Sequence, residues 1–313
     1  MKKKLLFLLM CFTMIFVVAC SEEGDYYDGF LVKEEVVKEN GDPVPAGGQY
    51  IKKATNATYT QGQNMPEEAS IGDKYIYGDY VYTMKKNGWN VALNDTTDKT
   101  KTSFEDILES IAGTAIVDLN DLFKGCANMT ASPKLPSTVQ TMNNTFYECT
   151  ALAEAPVLPA SLEIMQSTFY GCTSLTEAPE IPSGVTNIKC AFQSCTSLVK
   201  ASKLPSKLNA MSATFKDCKS LLEAPEIPAS VTDLAETFRN CESMTKGSAI
   251  PENVKFFTDT YNGCISLTGS IDISTSTSYI SGCFTKVNFA AQGLELTGSS
   301  TMLDQLLHTG IAQ

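Results

Sequence analysis

The sequence predicts a solenoid of about seven stacked coils, each with one short parallel strand and short helical turns opposite it. A unit of 23 residues repeats seven times between residues 122 and 284 without an insertion or deletion. The same apolar columns recur in each copy, and one column is all cysteine: Cys126, Cys149, Cys172, Cys195, Cys218, Cys241 and Cys264. A fixed period in the twenties with recurring apolar columns is typical of stacked repeats.

Residues 1–20 form a targeting segment. Three lysines precede an apolar run at residues 5–18, which is short for a bilayer span but suits a secretory signal. The run ends at Val17-Val18-Ala19-Cys20, which resembles the lipobox of bacterial lipoproteins, and the following Ser-Glu-Glu resembles the surface-export tag of Bacteroides-type bacteria. The resemblance implies an outer-membrane lipoprotein, exposed at the cell surface and lipidated at Cys20. The alternative is an ordinary cleaved signal peptide, because Val17 and Ala19 also suit a signal peptidase.

Two segments separate this signal from the repeats. Residues 21–71 are polar and lack a sustained apolar period, which predicts a flexible tether with at most a short strand. Residues 72–95 carry aromatic residues on both sides of Asn87-Gly88, which predicts a β-hairpin with a type I′ turn. The aromatic residues of this hairpin could alternatively be a platform for stacking sugars: Tyr75, Tyr77, Tyr80, Tyr82 and Trp89. Aromatic enrichment is also simple strand propensity.

Caps are predicted at both ends of the solenoid. Residues 102–121 are expected to form a helix, capped by Ser103 and Asp106 and ended by Gly113, followed by half a repeat. Residues 285–313 lose the repeat pattern and are expected to hold a last short helix through residues 302–307. Terminal caps cover the open ends of a stack of repeats.

Within each coil, prolines exclude a helix from the Ala-Pro-Glu-Ile-Pro segment, so the parallel strand is expected around residues 174–178 of the third copy. The apolar spacing from Val185 to Cys195 predicts a helical turn on the opposite side. An aromatic column is predicted to form a core spine: Phe123, Phe146, Phe169, Phe192, Phe215, Phe238, Tyr261 and Phe284. The cysteine column is predicted to hold buried thiols, because neighbouring coils place equivalent residues too far apart, and pointing in parallel, for disulfides.

The repeat has a specific resemblance. The motif Phe169-Tyr-Gly-Cys-Thr-Ser-Leu-Thr176 and the following Ile181-Pro-Ser-Gly-Val-Thr-Asn-Ile188 resemble the BspA-like leucine-rich repeat of surface lipoproteins. The resemblance covers residues 116–284 and implies a leucine-rich repeat solenoid. It also implies a protein that adheres to host or bacterial surfaces, mostly by binding proteins, and that has no enzymatic activity.

Composition narrows the function further. The net charge is −11, and removal of the three lysines within residues 1–20 makes it −14, which argues against nucleic acid and against anionic lipid as partners. The single histidine, His308, leaves no Ser-His-Asp or Cys-His arrangement within the repeats. We therefore expect no catalytic residues, no metal and no cofactor, and membrane contact only through the lipid on Cys20.

Function is predicted to lie in the outward columns of the strand side, since solenoids offer extended binding surfaces. The residues of two charged columns are the candidate ligand contacts: Glu154, Glu177, Lys200, Glu223 and Lys246 in the first, and Glu180, Lys203 and Glu226 in the second. Glu180, Lys203 and Glu226 alternate in sign from coil to coil, which also predicts cross-strand pairs without any ligand. The sequence thus predicts a monomeric surface lipoprotein that binds a protein partner. The alternatives are glycan capture by the hairpin and a passive structural component of the cell surface.

Overall fold

The computed structural model describes residues 70–95, 97–111, 113–274, 281–289 and 293–298, together with the backbone of four short strands between residues 27 and 53. Residues up to 97 and residues 108–118 form one compact unit, and residues 98–107 and those from 119 onward form a second. Among the described residues, no helix has the length and apolar character needed to cross a bilayer. The predicted lipidation site Cys20 and the predicted helix at residues 302–307 lie outside the described residues.

The first unit is built on a seven-stranded sheet. The unit has nine strands among the described residues, seven of which form this sheet: β1 (Tyr27–Leu31), β2 (Val36–Val37), β3 (Pro43–Val44), β4 (Gln49–Lys53), β5 (Lys74–Tyr77), β6 (Tyr80–Lys85), β7 (Gly88–Leu93), β8 (Ser110–Ile111) and β9 (Thr114–Asp118). The sheet has the order β1-β4-β5-β6-β7-β9-β8, whereas β2 and β3 pair separately. All neighbours in the sheet are antiparallel except β7 and β9, which are parallel.

The prediction of a flexible tether over residues 21–71 is wrong for β1 and β4. These strands join the sheet because β4 pairs with β5 in the register Gln49↔Ile76, more than twenty residues away in the chain. A search for local apolar periodicity cannot detect backbone pairing of this kind.

The predicted hairpin is confirmed, but its turn lies one residue earlier than predicted. Lys85 pairs with Gly88, so the two turn residues are Lys86 and Asn87. Neither has a positive φ, which excludes the predicted type I′ turn. Gly88 instead has φ 140° at the start of β7, where a Cβ would lie 2.8 Å from the carbonyl oxygen of Ala115 in β9. Glycine is therefore needed here for the close approach of a neighbouring strand.

The predicted N-terminal cap helix is wrong, although the segment does cover the first coil. Residues 102–109 are irregular and lead into β8. The Thr102 carbonyl accepts the Thr130 amide at 2.9 Å, and the Asp106 carboxylate accepts the Lys134 amide at 2.9 Å. A helix would use its carbonyls internally, whereas this chain offers polar groups to the unpaired amides of the end coil. The Phe104 ring packs 5.0 Å from that of Phe123.

The predicted parallel strand is present only as single-residue bridges, and the coils have two sets of such bridges, the second of which begins at Glu177. The first ladder links neighbouring coils at positions such as Ile164↔Asn187 and Asn187↔Ala210. The second includes Glu177↔Lys200 and Glu223↔Lys246, at the predicted strand position. In two coils, Pro179 and Pro225 lie two residues after the bridge residue and remove a donor from any longer pairing.

The segment opposite the strand consists of tight turns, so the prediction of a helical turn there is wrong. Residues 113–274 contain no helix. In the third coil Ser167 and Gly171 have φ of 53° and 70°, which an α-helix does not allow. Successive amides donate alternately within the turn and to the next coil. The Tyr170 amide donates to the Ser167 carbonyl of the same turn at 3.2 Å, and the Phe169 amide donates to the Ala191 carbonyl of the next coil at 2.8 Å. The turns thus bond both internally and to the neighbouring coil.

The predicted aromatic spine is confirmed. Successive rings from Phe123 to Phe284 lie 5.3–5.8 Å apart between centroids, with interplanar angles of 1–17°. These rings are fully buried or nearly so. Parallel rings at this spacing are offset stacks, the favourable arrangement for aromatic side chains.

The cysteine column is buried as predicted, and its thiols have a hydrogen-bonding role that the sequence did not reveal. Each Sγ from Cys149 to Cys264 lies 3.0–3.2 Å from the carbonyl oxygen of the spine phenylalanine 26 residues earlier. A buried carbonyl in each coil thereby gains a donor. Cys190 lies outside this column and is half-buried.

The repeat continues beyond its predicted end at residue 284. Val287 takes the cysteine position and is buried, and Lys286 has the positive φ of the equivalent turn residues. Further strands complete this end: β10 (Ser270–Ile273) pairs in parallel with β11 (Glu295–Gly298), and Ile273 bridges to Ile250 of the preceding coil.

Replacement of a spine ring should destabilise the stack strongly. We expect Phe192→Ala to lower the free energy of unfolding by about 3–5 kcal/mol, because it leaves a cavity between two stacked rings. Phe256→Ala is the matched control, since that ring is 46% exposed and its loss should cost far less. Urea unfolding followed by circular dichroism measures both, and equal losses would contradict the assignment of the spine as core.

The buried thiols should make stability fall at high pH. Burial raises the pKa of Cys126 to about 11 and of Cys264 to about 12, and it also raises the pKa of the thiols between them. Unfolded thiols ionise from about pH 8.5, so the unfolded chain then binds fewer protons than the folded one. Each buried thiol should therefore lower the free energy of unfolding by up to about 1.4 kcal/mol per pH unit above that value.

Unfolding by urea between pH 8 and pH 10.5 tests this expectation. Cys195→Val should reduce the slope of stability against pH, whereas the core control Leu198→Val should leave the slope unchanged. Identical slopes in the two variants would show that the buried thiols do not set the pH dependence.

Candidate functional site

The strand side of the solenoid presents a regular surface, here called the strand face. It consists of residues 153–157, 176–180, 199–203, 222–226 and 245–249, one segment from each of five coils. In every segment the second and fifth residues are exposed, and the two residues between them are half-buried. The second residue belongs to the second bridge ladder in the coils from Glu177 onward.

The first charged column, formed by the second residue of each segment, is largely paired with itself. Lys200 Nζ lies 3.6 Å from Glu177 Oε2, and Lys246 Nζ lies 3.5 Å from Glu223 Oε2. All four side chains are exposed, so each pair contributes at most about 1 kcal/mol to stability. Cross-strand ion pairs therefore form in this column, not in the column for which the sequence predicted them, and Glu154 of this column is also exposed.

The second charged column, formed by the fifth residue of each segment, behaves differently. Glu180, Lys203 and Glu226 are exposed, but no ion pair joins them in the described coils. The alternation of sign that predicted cross-strand pairs is therefore not used for pairing here. Val157 precedes them in the column and is 92% exposed.

Two functional candidates were missed by sequence reasoning. Val199 and Leu222 are 41% and 46% exposed, and they occupy neighbouring coils beside the first charged column. The Leu222 amide donates to the Val199 carbonyl at 3.2 Å, which holds the two residues side by side. The sequence does contain a sign of this pair, because the same column holds small or hydroxyl residues in other coils: Thr130, Ala153, Thr176 and Thr245.

The hairpin cannot act as the predicted sugar platform, because most of its rings are core. Tyr75, Tyr80, Tyr82 and Trp89 have no exposed surface, and only Tyr77 is partly exposed. The Trp89 indole donates to the Ile111 carbonyl at 3.3 Å, and the Tyr82 hydroxyl accepts the Leu108 amide at 3.2 Å. Both contacts come from residues 108–111, which the pattern within the hairpin could not reveal.

Another polar cluster joins coils through the turns rather than on the strand face. Lys216 Nζ lies 2.6 Å from Glu236 Oε2, and Arg239 contacts the same oxygen at 3.0 Å. The hydrogen bond from Lys216 is the main cause of a lowered pKa of Glu236. Nearby, the rings of Tyr147 and Tyr170 stack on each other with centroids 4.4 Å apart, so each covers one face of the other. These contacts stabilise the stack.

Within the part of the chain that the structure describes, no group of three or more His, Cys, Asp or Glu side chains is placed to hold a metal ion. The charged residues of the strand face are exposed carboxylates and ammonium groups. This arrangement offers apolar contact and surface charge, which are features of a binding surface.

Comparisons with known proteins place the repeats in a family. The profile of the BspA type leucine rich repeat region matches residues 119–245 and 162–290, with six copies, and so spans more than half of the chain. A crystal structure of a leucine-rich repeat protein from T. pallidum is similar, with 27% identity, a TM-score of 0.53, and coverage of 60% of this chain and 88% of that one.

Two further solved structures show weaker similarity. A leucine-rich repeat protein from Bacteroides ovatus has 19% identity and a TM-score of 0.46, covering 72% of this chain and 76% of that one. A leucine rich cell surface protein from Faecalibacterium prausnitzii has 14% identity and a TM-score of 0.34, covering 77% and 98%. A search of curated proteins found no significant match.

The stacked coils, the aromatic spine and the profile match across most of the repeats agree with one another. The chain therefore belongs to the family of proteins with a BspA type leucine rich repeat region.

Proposed function

We propose that this chain is a non-enzymatic lipoprotein of the cell surface, anchored in the outer membrane through Cys20, that binds a protein partner by its strand face. The observation that carries the proposal is the pair of exposed aliphatic residues, Val199 and Leu222, among exposed charges. Membership of the BspA type repeat family, whose members are typically surface or adhesion proteins, supports the same function.

The composition of the strand face favours a protein as the partner. Protein interfaces combine an apolar centre, which is desolvated on binding, with a polar rim that sets specificity. Val199 and Leu222 supply a small apolar centre, and the ion pairs Glu177–Lys200 and Glu223–Lys246 flank it. The face extends over five coils, which suits a partner with an extended contact surface.

The targeting segment supports surface location. A basic start, an apolar run and Val17-Val18-Ala19-Cys20 together have the order of a lipoprotein signal. A lipid on Cys20 would bring the repeats to the membrane without a spanning helix. The net charge of −11 favours solubility and is unfavourable for nucleic acid as a partner.

Loss of the apolar centre should weaken binding of the partner. The purified chain is used as bait for proteins labelled on host-cell and bacterial surfaces, and each captured protein is identified and its affinity measured. We expect Val199→Asp/Leu222→Asp to weaken that affinity at least tenfold, because two charges replace the desolvated centre.

The matched control is Ile71→Asp/Ile265→Asp, which makes the same change at residues that are also exposed but lie off the strand face. This control should bind as the wild type does, and both variants should keep the wild-type melting temperature. Equal binding by both variants, or no captured protein with the wild type, would contradict the proposal and favour a passive structural role.

In the proposed function, anchoring to the membrane depends on the thiol of Cys20. We expect Cys20→Ser to prevent labelling with a radioactive fatty acid and to move the protein out of the membrane fraction, whereas Cys190→Ser should change neither. Protease treatment of intact cells should degrade the wild-type protein. Continued fatty-acid labelling of Cys20→Ser, or resistance to surface proteolysis, would contradict the proposed location.

A further inference from the structure

We infer that the partner bound by the strand face is a second copy of this chain, packed face to face with the first and with its coils running in the opposite direction. The inference rests on the proposed function, because it assumes that the strand face is the binding surface. It names the partner and the arrangement, which the proposed function leaves open.

The first residues of four successive segments form a symmetric column. Val199 and Leu222 are exposed at its centre, and Thr176 and Thr245 are exposed on either side of them. Read in reverse, this column has the same order of residue types: threonine, aliphatic, aliphatic, threonine. Two antiparallel copies can therefore place Val199 of each copy against Leu222 of the other, which desolvates both aliphatic pairs.

The first charged column is complementary to its own reverse. Along the coils it reads Glu177, Lys200, Glu223 and Lys246. In an antiparallel second copy, Glu177 therefore faces Lys246, and Lys200 faces Glu223. Each of these contacts occurs twice, because the two copies are equivalent. Opposite charges at facing positions favour one orientation of the partners and disfavour others.

The first and second residues of the segments open on one surface of the solenoid. In the coils before Glu177, Ala153 and Glu154 line a surface depression together with Thr130 and Ala131 of the preceding coil. These are the positions that Val199 and Lys200 occupy two coils later. One partner can therefore contact the aliphatic pair and the first charged column at the same time.

The symmetry of both columns has one common centre. It lies between the coil of Val199 and Lys200 and the coil of Leu222 and Glu223. A two-fold axis across the strand face at this point would relate the copies, so that both contribute the same patch, as in most homodimers. An axis through either coil would instead place Lys200 on Lys200, or Glu223 on Glu223, of the other copy. An axis one coil away would separate Val199 from Leu222.

The charges disfavour a parallel arrangement of the copies. A two-fold axis along the solenoid would place each coil against the same coil of the second copy. The two exposed charges of one coil have the same sign, as in Glu177 and Glu180 or in Lys200 and Lys203. Acid would then face acid and base would face base in successive coils. Only the antiparallel arrangement brings opposite charges together.

The second charged column supplies new ion pairs to the antiparallel arrangement. Lys203 and Glu226 are exposed and form no ion pair in the described coils. The same axis places Lys203 of each copy against Glu226 of the other, whereas Glu180 faces Ala249. The first column is already paired within each copy, so it acts mainly by disfavouring other registers.

The size of the strand face predicts a weak contact. Five coils spaced by about 4.8 Å and five residues of about 3.3 Å each cover about 24 by 16 Å, or about 400 Å² on each copy. Interfaces of this size belong to weak and transient complexes. Many such contacts between two surfaces hold far more strongly than one, because the first raises the effective concentration of the others. An antiparallel pair suits facing surfaces, since it directs the N-terminal coils of the two copies to opposite ends.

Clustering of coated beads tests this inference. The purified chain carrying Cys20→Ser is coupled through its N-terminal end to beads of two colours. Beads with the otherwise unchanged chain should cluster. Beads that carry only Lys200→Glu/Lys203→Glu, or only Glu223→Lys/Glu226→Lys, should cluster at least tenfold less, because each variant places like charges against each other. Mixing the two variants should restore clustering between colours only, because every facing pair of charges is then again opposite in sign.

The matched control is Lys189→Glu/Lys207→Glu, which changes the net charge as Lys200→Glu/Lys203→Glu does but at exposed residues outside the strand face. This control should cluster as the unchanged chain does, and every variant should keep the wild-type melting temperature. Sedimentation equilibrium of the soluble chain should show monomers and dimers in equilibrium, with at least tenfold weaker dimerisation in either charge variant alone and dimers restored in their mixture.

Other results overturn the inference. Absence of clustering by the unchanged chain, equal clustering by the charge variants, or failure of the mixture to cluster would each exclude antiparallel contact between two copies. The capture experiment with Val199→Asp/Leu222→Asp then separates the two proposals. If capture of a different surface protein depends on those residues, the strand face remains the binding surface and only the second copy is wrong as its partner; if it does not, both proposals fail.

Discussion

The structure depends on amide hydrogen bonds that tie each coil to the next at a fixed register. Phe146 donates to Thr168, Phe169 to Ala191 and Phe192 to Thr214, at 2.8–3.0 Å, so each bond joins a residue to the carbonyl 22 residues ahead. A single inserted residue would break this register for the coil and misplace its whole set of apolar columns. The bonds therefore explain why the repeats tolerate no insertion and why the phenylalanine rings stack with nearly parallel planes.

The same hydrogen bonds require some residues to adopt an unfavourable left-handed backbone conformation. Two residues in each coil have positive φ, as at Asn144 and Glu148 or at Ala213 and Asp217, although the left-handed region costs most residues about 1–2 kcal/mol. The cost is accepted because these turns direct alternate amides towards the next coil, where they replace bonds to water. Gly263 has an added reason to be glycine, since a Cβ there would lie 2.5 Å from the side-chain oxygen of Asn240 in the preceding coil.

The column pattern predicted the core residues correctly, whereas local propensity predicted the hairpin but not the irregular segments. The Phe169 column and the Cys172 column could be assigned to the core because stacking carries one position's environment into every other coil. The helix expected at residues 102–113 is absent because this irregular segment instead accepts hydrogen bonds from amides of the first coil, such as that of Lys134 to Asp106. The sugar platform expected at the Trp89 hairpin is wrong because its rings are buried and contact residues 108–111, which follow the hairpin in the chain.

The stacking of coils does not determine which side chains occupy the exposed positions of the strand face. Charges of its first column are partly neutralised within the stack, since Glu177 and Glu223 each form an ion pair with a lysine of the following coil. A charge already paired on the surface adds little to binding, because a partner must first displace the existing pair. Specificity should therefore reside in the unpaired charges of the second column, and affinity in the exposed side chains of Val199 and Leu222. The residues that vary from coil to coil, rather than those that define the repeat, distinguish this surface from that of any other solenoid built on the same columns.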